Sequence, residues 1–121
     1  MTKILIIDDD PDLIKILSFY LKNANYESSF AEDGENGLKK AVEDKPDLII
    51  LDIQMPGLNG IEVAKKLQAD ESLKNIPIIF LTATLDFDRS EIPEGSKIKF
   101  ITKPCDFNQI IEYIKSLTNT D

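Results

Sequence analysis

Asp8 and Asp9 follow the apolar run Ile4–Ile7, Asp52 follows Leu48–Leu51, Thr82 follows Ile78–Leu81, and Lys103 comes two residues after Ile101. Each of these polar residues stands at or just past the end of an apolar run of strand length. Carboxylates brought within a few Å of one another repel strongly unless a cation intervenes. A Mg²⁺-type ion suits them, because it takes oxygen ligands, keeps several waters and binds through one or two carboxylates plus phosphate oxygens. The Lys103 ammonium can hold a phosphoryl oxygen as a point charge, and the Thr82 hydroxyl can donate to another. Asp52 can then attack phosphorus in line, giving an aspartyl-phosphate. The chain has no histidine, which excludes histidine nucleophiles, histidine bases and imidazole metal sites.

That chemistry requires the runs to be strands that end on one side of a sheet. Leu48–Leu51, followed by the Gln54-Met55-Pro56-Gly57 turn, reads as a strand buried on both faces. An isolated ionised carboxylate is costly in such surroundings, so Asp52 is expected at the mouth of the strand, facing partners. Lys3–Ile7 reads as a first strand. Asp10 is placed to cap a helix that begins at Pro11, runs to about Asn23 and turns Leu13, Leu17, Tyr20 and Leu21 to one face. Tyr26–Ala31 reads as a weaker strand near an edge, and Asp33-Gly34 as a turn. A helix with Leu38, Ala41 and Val42 inward is stopped by Lys45-Pro46. A third helix after Asn59-Gly60 carries Ile61, Ala64 and Leu67 inward. Pro77–Leu81 and Lys97–Ile101 supply the last strands. Asp106 and Gln109 are spaced as a capping box before a helix with Phe107, Ile110, Ile111, Ile114 and Leu117 on one side.

Between the last two strands, residues 84–96 show no sustained helical stripe. Pro93 and the acidic, aperiodic Asp86–Glu91 predict at most two helical turns between Asp86 and Ile92. The β-α alternation otherwise implies an α/β fold: a doubly wound, five-stranded parallel sheet with right-handed crossovers and a short or irregular fourth helix. Ligands in such sheets sit beyond the carboxyl ends of the strands. At 121 residues, the chain is expected to be one domain, 1–121.

The bulk composition narrows the partners. A formal net charge of −8 makes nucleic acid a poor direct partner. The acidity reads either as plain solubility or as carboxylates gathered for a cation. The single cysteine, Cys105, cannot form an internal disulfide and fits a reducing cytoplasm. The N-terminus offers no targeting segment, and no run approaches the roughly 20 apolar residues that span a bilayer, so no membrane is expected.

In their order and spacing, Asp8-Asp9, Asp52 with Met55-Pro56 and Gly60, Thr82-Ala83 and Lys103-Pro104 resemble the response-regulator receiver domain of two-component signalling, chemotaxis regulators included. The resemblance covers essentially the whole chain. It implies a flavodoxin-like sheet order of 2-1-3-4-5. It implies Asp52 as phosphoacceptor, and Mg²⁺ (or Mn²⁺) on Asp9, Asp52 and the backbone carbonyl of Gln54, with Asp8 acting mainly through water. Thr82 and Lys103 would contact the phosphoryl group, Thr82 and Phe100 would form the switch, and the Lys103-Pro104 bond would be cis. Gln54 and Thr84 would tune hydrolysis. The donor would be a phosphohistidine on a sensor histidine kinase or phosphotransfer protein, and the only enzymatic content would be self-phosphorylation and self-dephosphorylation.

The sequence departs from the family in places. Phe100 lacks a hydroxyl, so any switching would work by packing and ring rotation; its plainer reading is a core residue. Cys105 stands where an apolar aromatic is usual and reads as a small buried hydrophobe. Asp10 and Asp12 read as helix-start charges rather than ligands. Residues 84–96, through which many relatives pass their signal, are irregular. Two other functions stay open. Ile4–Asp10 mimics the strand and Asp-x-Asp of haloacid-dehalogenase-like phosphatases, and a non-phosphorylatable pseudo-receiver would share the fold. A calcium loop starting at Asp8 would place Leu13 and Phe19 where glycine and a bidentate acid are needed. No output domain is legible, which fits a protein that docks to partners or one domain of a longer regulator.

Overall fold

A computed structural model describes residues 1–83, 89–92 and 97–118. The elements are β1 (Lys3–Ile7), α1 (Pro11–Asn23), β2 (Glu27–Ala31), α2 (Gly34–Asp44), β3 (Leu48–Asp52), α3 (Gly60–Gln68), β4 (Ile78–Thr82), a 3₁₀ turn (Arg89–Glu91), β5 (Ile98–Thr102) and α4 (Phe107–Thr118). The five strands are parallel in the order β2-β1-β3-β4-β5, which leaves β2 at an edge as its polar Ser28 and Ser29 suggest.

Strand alternation divides the core in two. Ile4, Ile6, Leu48, Ile50, Ile79, Leu81 and Ile101 face α1 and α4. Leu5, Ile7, Ile49, Leu51, Ile78 and Phe80 face α2 and α3. With both faces covered, β1, β3 and β4 read as nearly unbroken apolar runs. The register puts the ends of these strands level: Ile7 pairs with Leu51, and Asp52 with Leu81.

Several local expectations shift. Ile14, not Tyr20, joins Leu17 and Leu21 on the buried stripe of α1, because these three repeat at three and four residues. Tyr20 is 44% exposed and stacks flat on Phe107 of α4, with ring centroids 4.4 Å apart. Val42 of α2 is exposed. Gly37 takes the inner place instead, packed so closely on β1 that an added Cβ would lie 2.5 Å from the Ile7 side chain. Asp33 is the cap of α2 and Gly34 its first residue. Strand β4 starts at Ile78; Pro77, with no N–H to give, contributes only its carbonyl to the Ile49 N–H.

The capping box moves as well. Asn59 and Glu62 make both of its bonds, at 2.9 and 3.1 Å, at the start of α3. Gln109 instead donates its side-chain amide to the Tyr113 hydroxyl, while Asp106 accepts the Asn108 N–H. Between β4 and β5, the described residues hold a single 3₁₀ turn, Arg89–Glu91. The remainder of the segment in which at most two helical turns are expected lies outside the described residues, as does Thr84. Among the described residues, no helix is long and apolar enough to cross a membrane.

Candidate functional site

Asp8, Asp52 and Thr82 are the buried polar or charged residues of the described chain, at 1%, 4% and 0% exposure. All lie at the carboxyl ends of central strands. Asp52 is the last residue of β3 and Thr82 the last of β4, while Asp8 follows β1 directly and donates its N–H to the Ala31 carbonyl. Asp9, next in the chain, is exposed at the mouth. One carboxylate oxygen from each of Asp8, Asp9 and Asp52 can be chosen so that all three lie within 4.8 Å of one another.

Lys103 closes this group from β5. Its N–H donates to the Thr82 carbonyl at 2.8 Å, tying the ends of β4 and β5 together. Its Nζ lies 3.1 Å from Asp8 Oδ2 and 3.5 Å from Asp52 Oδ2. The Lys103-Pro104 peptide bond is cis. Backbone N–H groups hold the other carboxylate oxygens: Gln54 donates to Asp52 Oδ1 at 3.2 Å and Asp10 to Asp8 Oδ1 at 2.9 Å. The Gln54 side chain is exposed.

One ammonium does not balance these carboxylates. Burial, then the charge of Asp8, pushes Asp52 from 3.8 up to about 6; Lys103 and the Gln54 N–H pull it back, and Asp9 adds to the rise. Burial by itself would lower the Lys103 ammonium, but the Asp8 and Asp52 charges outweigh it and hold its pKa above the ordinary value. Burial raises the Cys105 thiol, which is half-buried against the α1/α4 core, so it rests as a neutral thiol rather than a nucleophile.

The donor set fits a hard divalent cation. All three groups are carboxylates, and metal–oxygen bonds of about 2.1 Å put ligand oxygens roughly 3–4 Å apart, within the span these oxygens already occupy. Asp8, Asp9, Asp52 and Lys103 are thus brought together. Thr82 sits beside them in sequence register but, by alternation, on the α2/α3 face with Phe80. Phe100 is partly buried on that same face and stacks on Phe80, with centroids 5.3 Å apart.

Three supporting residues were harder to read from the sequence. Phe80 is the ring under Phe100, and its signal is only its equal place in the neighbouring strand. The Asp10 N–H is invisible as a side-chain pattern. Gly60 belongs to the motif, but its reason is spatial: an added Cβ would lie 2.2 Å from the Asp52 carbonyl oxygen.

Residues 4–115 match the family model described as the response regulator receiver domain. Among curated relatives, response regulator PleD of Caulobacter vibrioides is 38% identical over 118 residues, covering 96% of this chain and 26% of PleD. The alkaline phosphatase synthesis transcriptional regulatory protein PhoP of Bacillus subtilis is 37% identical over 116 residues, covering 95% of this chain and 48% of PhoP. The chain therefore spans a quarter to a half of the length of these relatives. Among solved structures, the chemotaxis protein CheY4 of Vibrio cholerae superposes with a TM-score of 0.87 at 28% identity, covering 97% of this chain and 98% of that one. The receiver domain of sensor histidine kinase PA1611 from Pseudomonas aeruginosa, solved with a magnesium ion coordinated in its active-site cleft, shares the fold with a TM-score of 0.87 at 23% identity, covering 98% of both chains.

Proposed function

We propose that this chain, which belongs to the response regulator receiver domain family, works as one receiver domain that accepts a phosphoryl group on Asp52 and switches partner binding in response. The observation that carries this is the cluster itself: the oxygens of Asp8, Asp9 and Asp52 within 4.8 Å, with the Lys103 ammonium beside two of them. Asp9, Asp52 and the Gln54 carbonyl would hold Mg²⁺ (or Mn²⁺), with Asp8 acting through water. When bound, that ion neutralises charge on the phosphoryl oxygens.

The protein's own residues do the rest. An Asp52 carboxylate oxygen forms a bond to phosphorus as the P–N bond of a donor phosphohistidine breaks, and the electron pair leaves with the imidazole nitrogen. With a pKa of about 6, Asp52 is mostly ionised at neutral pH and able to attack. Lys103 is already charged and in place to follow an oxygen of the transferred group. Hydrolysis reverses the bond at Asp52, with water as the nucleophile and the carboxylate as leaving group. The donor is a sensor histidine kinase or phosphotransfer protein, and the setting is cytoplasmic. Thr82 moving toward the phosphoryl group would leave room for Phe100, now partly buried and stacked on Phe80, to turn further inward, a two-state element biased by the new charge.

Incubation with Mg²⁺ and a small acyl phosphate, followed by intact mass, tests this. A single labile phosphoryl adduct is expected, absent in Asp52→Asn and no longer Mg²⁺-dependent in Asp9→Ala. An adduct on Asp8 would point to the dehalogenase-like phosphatase. No adduct from any donor would leave the pseudo-receiver. Thr82→Ala should keep the adduct and lose the change in partner affinity.

A further inference from the structure

We infer that Asp10 is a positioning residue for the carboxylate cluster: its side chain caps α1, and that cap fixes the Asp10 N–H on Asp8. The inference rests on the reading of the cluster as a Mg²⁺ site, and it assigns Asp10 no contact with the ion.

Asp10 is pinned from the helix side. Its Oδ1 accepts the N–H groups of Asp12 at 3.0 Å and Leu13 at 3.3 Å, and its carbonyl accepts the N–H of Ile14 at 3.1 Å. Pro11 has no N–H to satisfy, so these bonds account for the donors at the opening of the helix. The helix is anchored in turn, because Ile14, Leu17 and Leu21 are buried in the core shared with α4. Held this way in extended backbone (φ −98°, ψ 104°), Asp10 presents its own N–H to Asp8 Oδ1 at 2.9 Å. That leaves Asp8 Oδ2 for Lys103 at 3.1 Å.

The orientation of Asp8 therefore descends from the apolar packing of α1 through a single capped residue. Removing the cap frees the turn between Asp8 and Pro11, and with it the N–H that holds Oδ1. Asp8 then swings on its remaining bond to Lys103, and both the ammonium and the neighbouring Asp52 lose their fixed arrangement. Partners that orient metal-site carboxylates have large effects on affinity although they never touch the metal. The Asp10 carboxylate itself is exposed and occupied by helix N–H groups, so what matters is its acceptor oxygen rather than its charge.

Substitution separates the two. Calorimetric titration of the folded, metal-free protein with Mg²⁺ at about 0.15 M ionic strength, where charges beyond about 8 Å are screened, gives the dissociation constant directly. Asp10→Ala should weaken Mg²⁺ binding about tenfold, the lower end of what such supporting partners contribute. Asp10→Asn and Asp10→Ser, which keep a capping oxygen without the charge, should stay within about twofold. Should Asp10→Ala fail to fold, Asp10→Gly removes the same oxygen at less cost to the helix start and carries the same expectation. Equal weakening in Asn and Ala variants would show that charge is what counts and overturn the inference. So would an Ala variant that binds as tightly as the wild type. A wild type that binds no Mg²⁺ would instead overturn the metal-site reading, and this inference with it.

Discussion

At the amino end of the sheet, Asp47 accepts the Lys3 N–H at 2.7 Å and donates its own N–H to the Lys3 carbonyl at 2.8 Å. At the carboxyl end, Asp8 and Asp52 lean on one ammonium that comes from the far side of the chain. The amino end also has a hollow of about 540 Å³, lined by Met1, Asp47, Asn75, Pro77 and Lys97 among others. A hollow of that size could take a ligand. Charge places it at the other end: Asp47 is exposed and paired through local backbone, whereas Asp8 and Asp52 are out of water, alike in sign and only partly compensated. A cation would relieve that imbalance, and among the described residues the amino end holds no buried carboxylate that calls for one.

The contrast can be broken most sharply with two parallel substitutions. Asp52→Asn should abolish the phosphoryl adduct seen by intact mass with Mg²⁺ and an acyl phosphate, while Asp47→Asn should leave its yield unchanged. An adduct that survived in Asp52→Asn would remove the distinction between the two ends.

A second test reads the cost of the buried charge. Asp52 has its pKa raised on folding, from 3.8 to about 6. Its contribution to stability is therefore full below the lower value and is lost as pH rises through the higher one. That shift corresponds to about 3 kcal/mol. In metal-free urea unfolding, the advantage of Asp52→Asn over the wild type should grow by most of that amount between pH 4 and pH 7. Mg²⁺ should then stabilise the wild type at pH 7 more than at pH 5, where protons compete for the same oxygen. A gap that stayed constant with pH would mean that Asp52 is better solvated than its burial indicates.

Packing differs between site and periphery too, with a smaller effect. Gly60→Ala puts a Cβ against the Asp52 carbonyl, where backbone and not a flexible side chain must yield, and should destabilise by about 2 kcal/mol. Thermal unfolding measures it, and the adduct yield should fall as Asp52 shifts. The smallest effect belongs to the amino end. Asp47→Ala loses one exposed bond to the Lys3 N–H and should lower stability by about 1 kcal/mol or less, with phosphorylation intact.

Much of this arrangement is legible in the chain. Ile4–Ile7, Leu48–Leu51 and Ile78–Leu81 are apolar on both faces, as a strand covered on both sides is, and each is followed by a polar residue, Asp8, Asp52 or Thr82, that ends buried. What is not legible is phase and choice. Leu13, Ile14, Leu17, Tyr20 and Leu21 offer overlapping stripes, and the sheet selected Ile14 while α4 took Tyr20. Asp106/Gln109 and Asn59/Glu62 both carry an acceptor and a reaching side chain at the right interval. Only the second pair closed reciprocally, because Gln109 has Tyr113 one turn ahead to bond instead.

The strands and the order of polar residues at their ends were set in the chain alone, because those follow from period and from the expense of burying charge. The tertiary structure alone decided which charges meet. Lys103 reaches Asp8 across 95 residues, and nothing in local spacing favours Asp8 over any other acid. Parallel pairing, which sets the ends of β1, β3, β4 and β5 level, brings Lys103 to that carboxylate. The same pairing stacks Phe80 under Phe100, and the packing of α1 sets the N–H that holds Asp8. These are distances between segments, and they come into being only when the sheet closes.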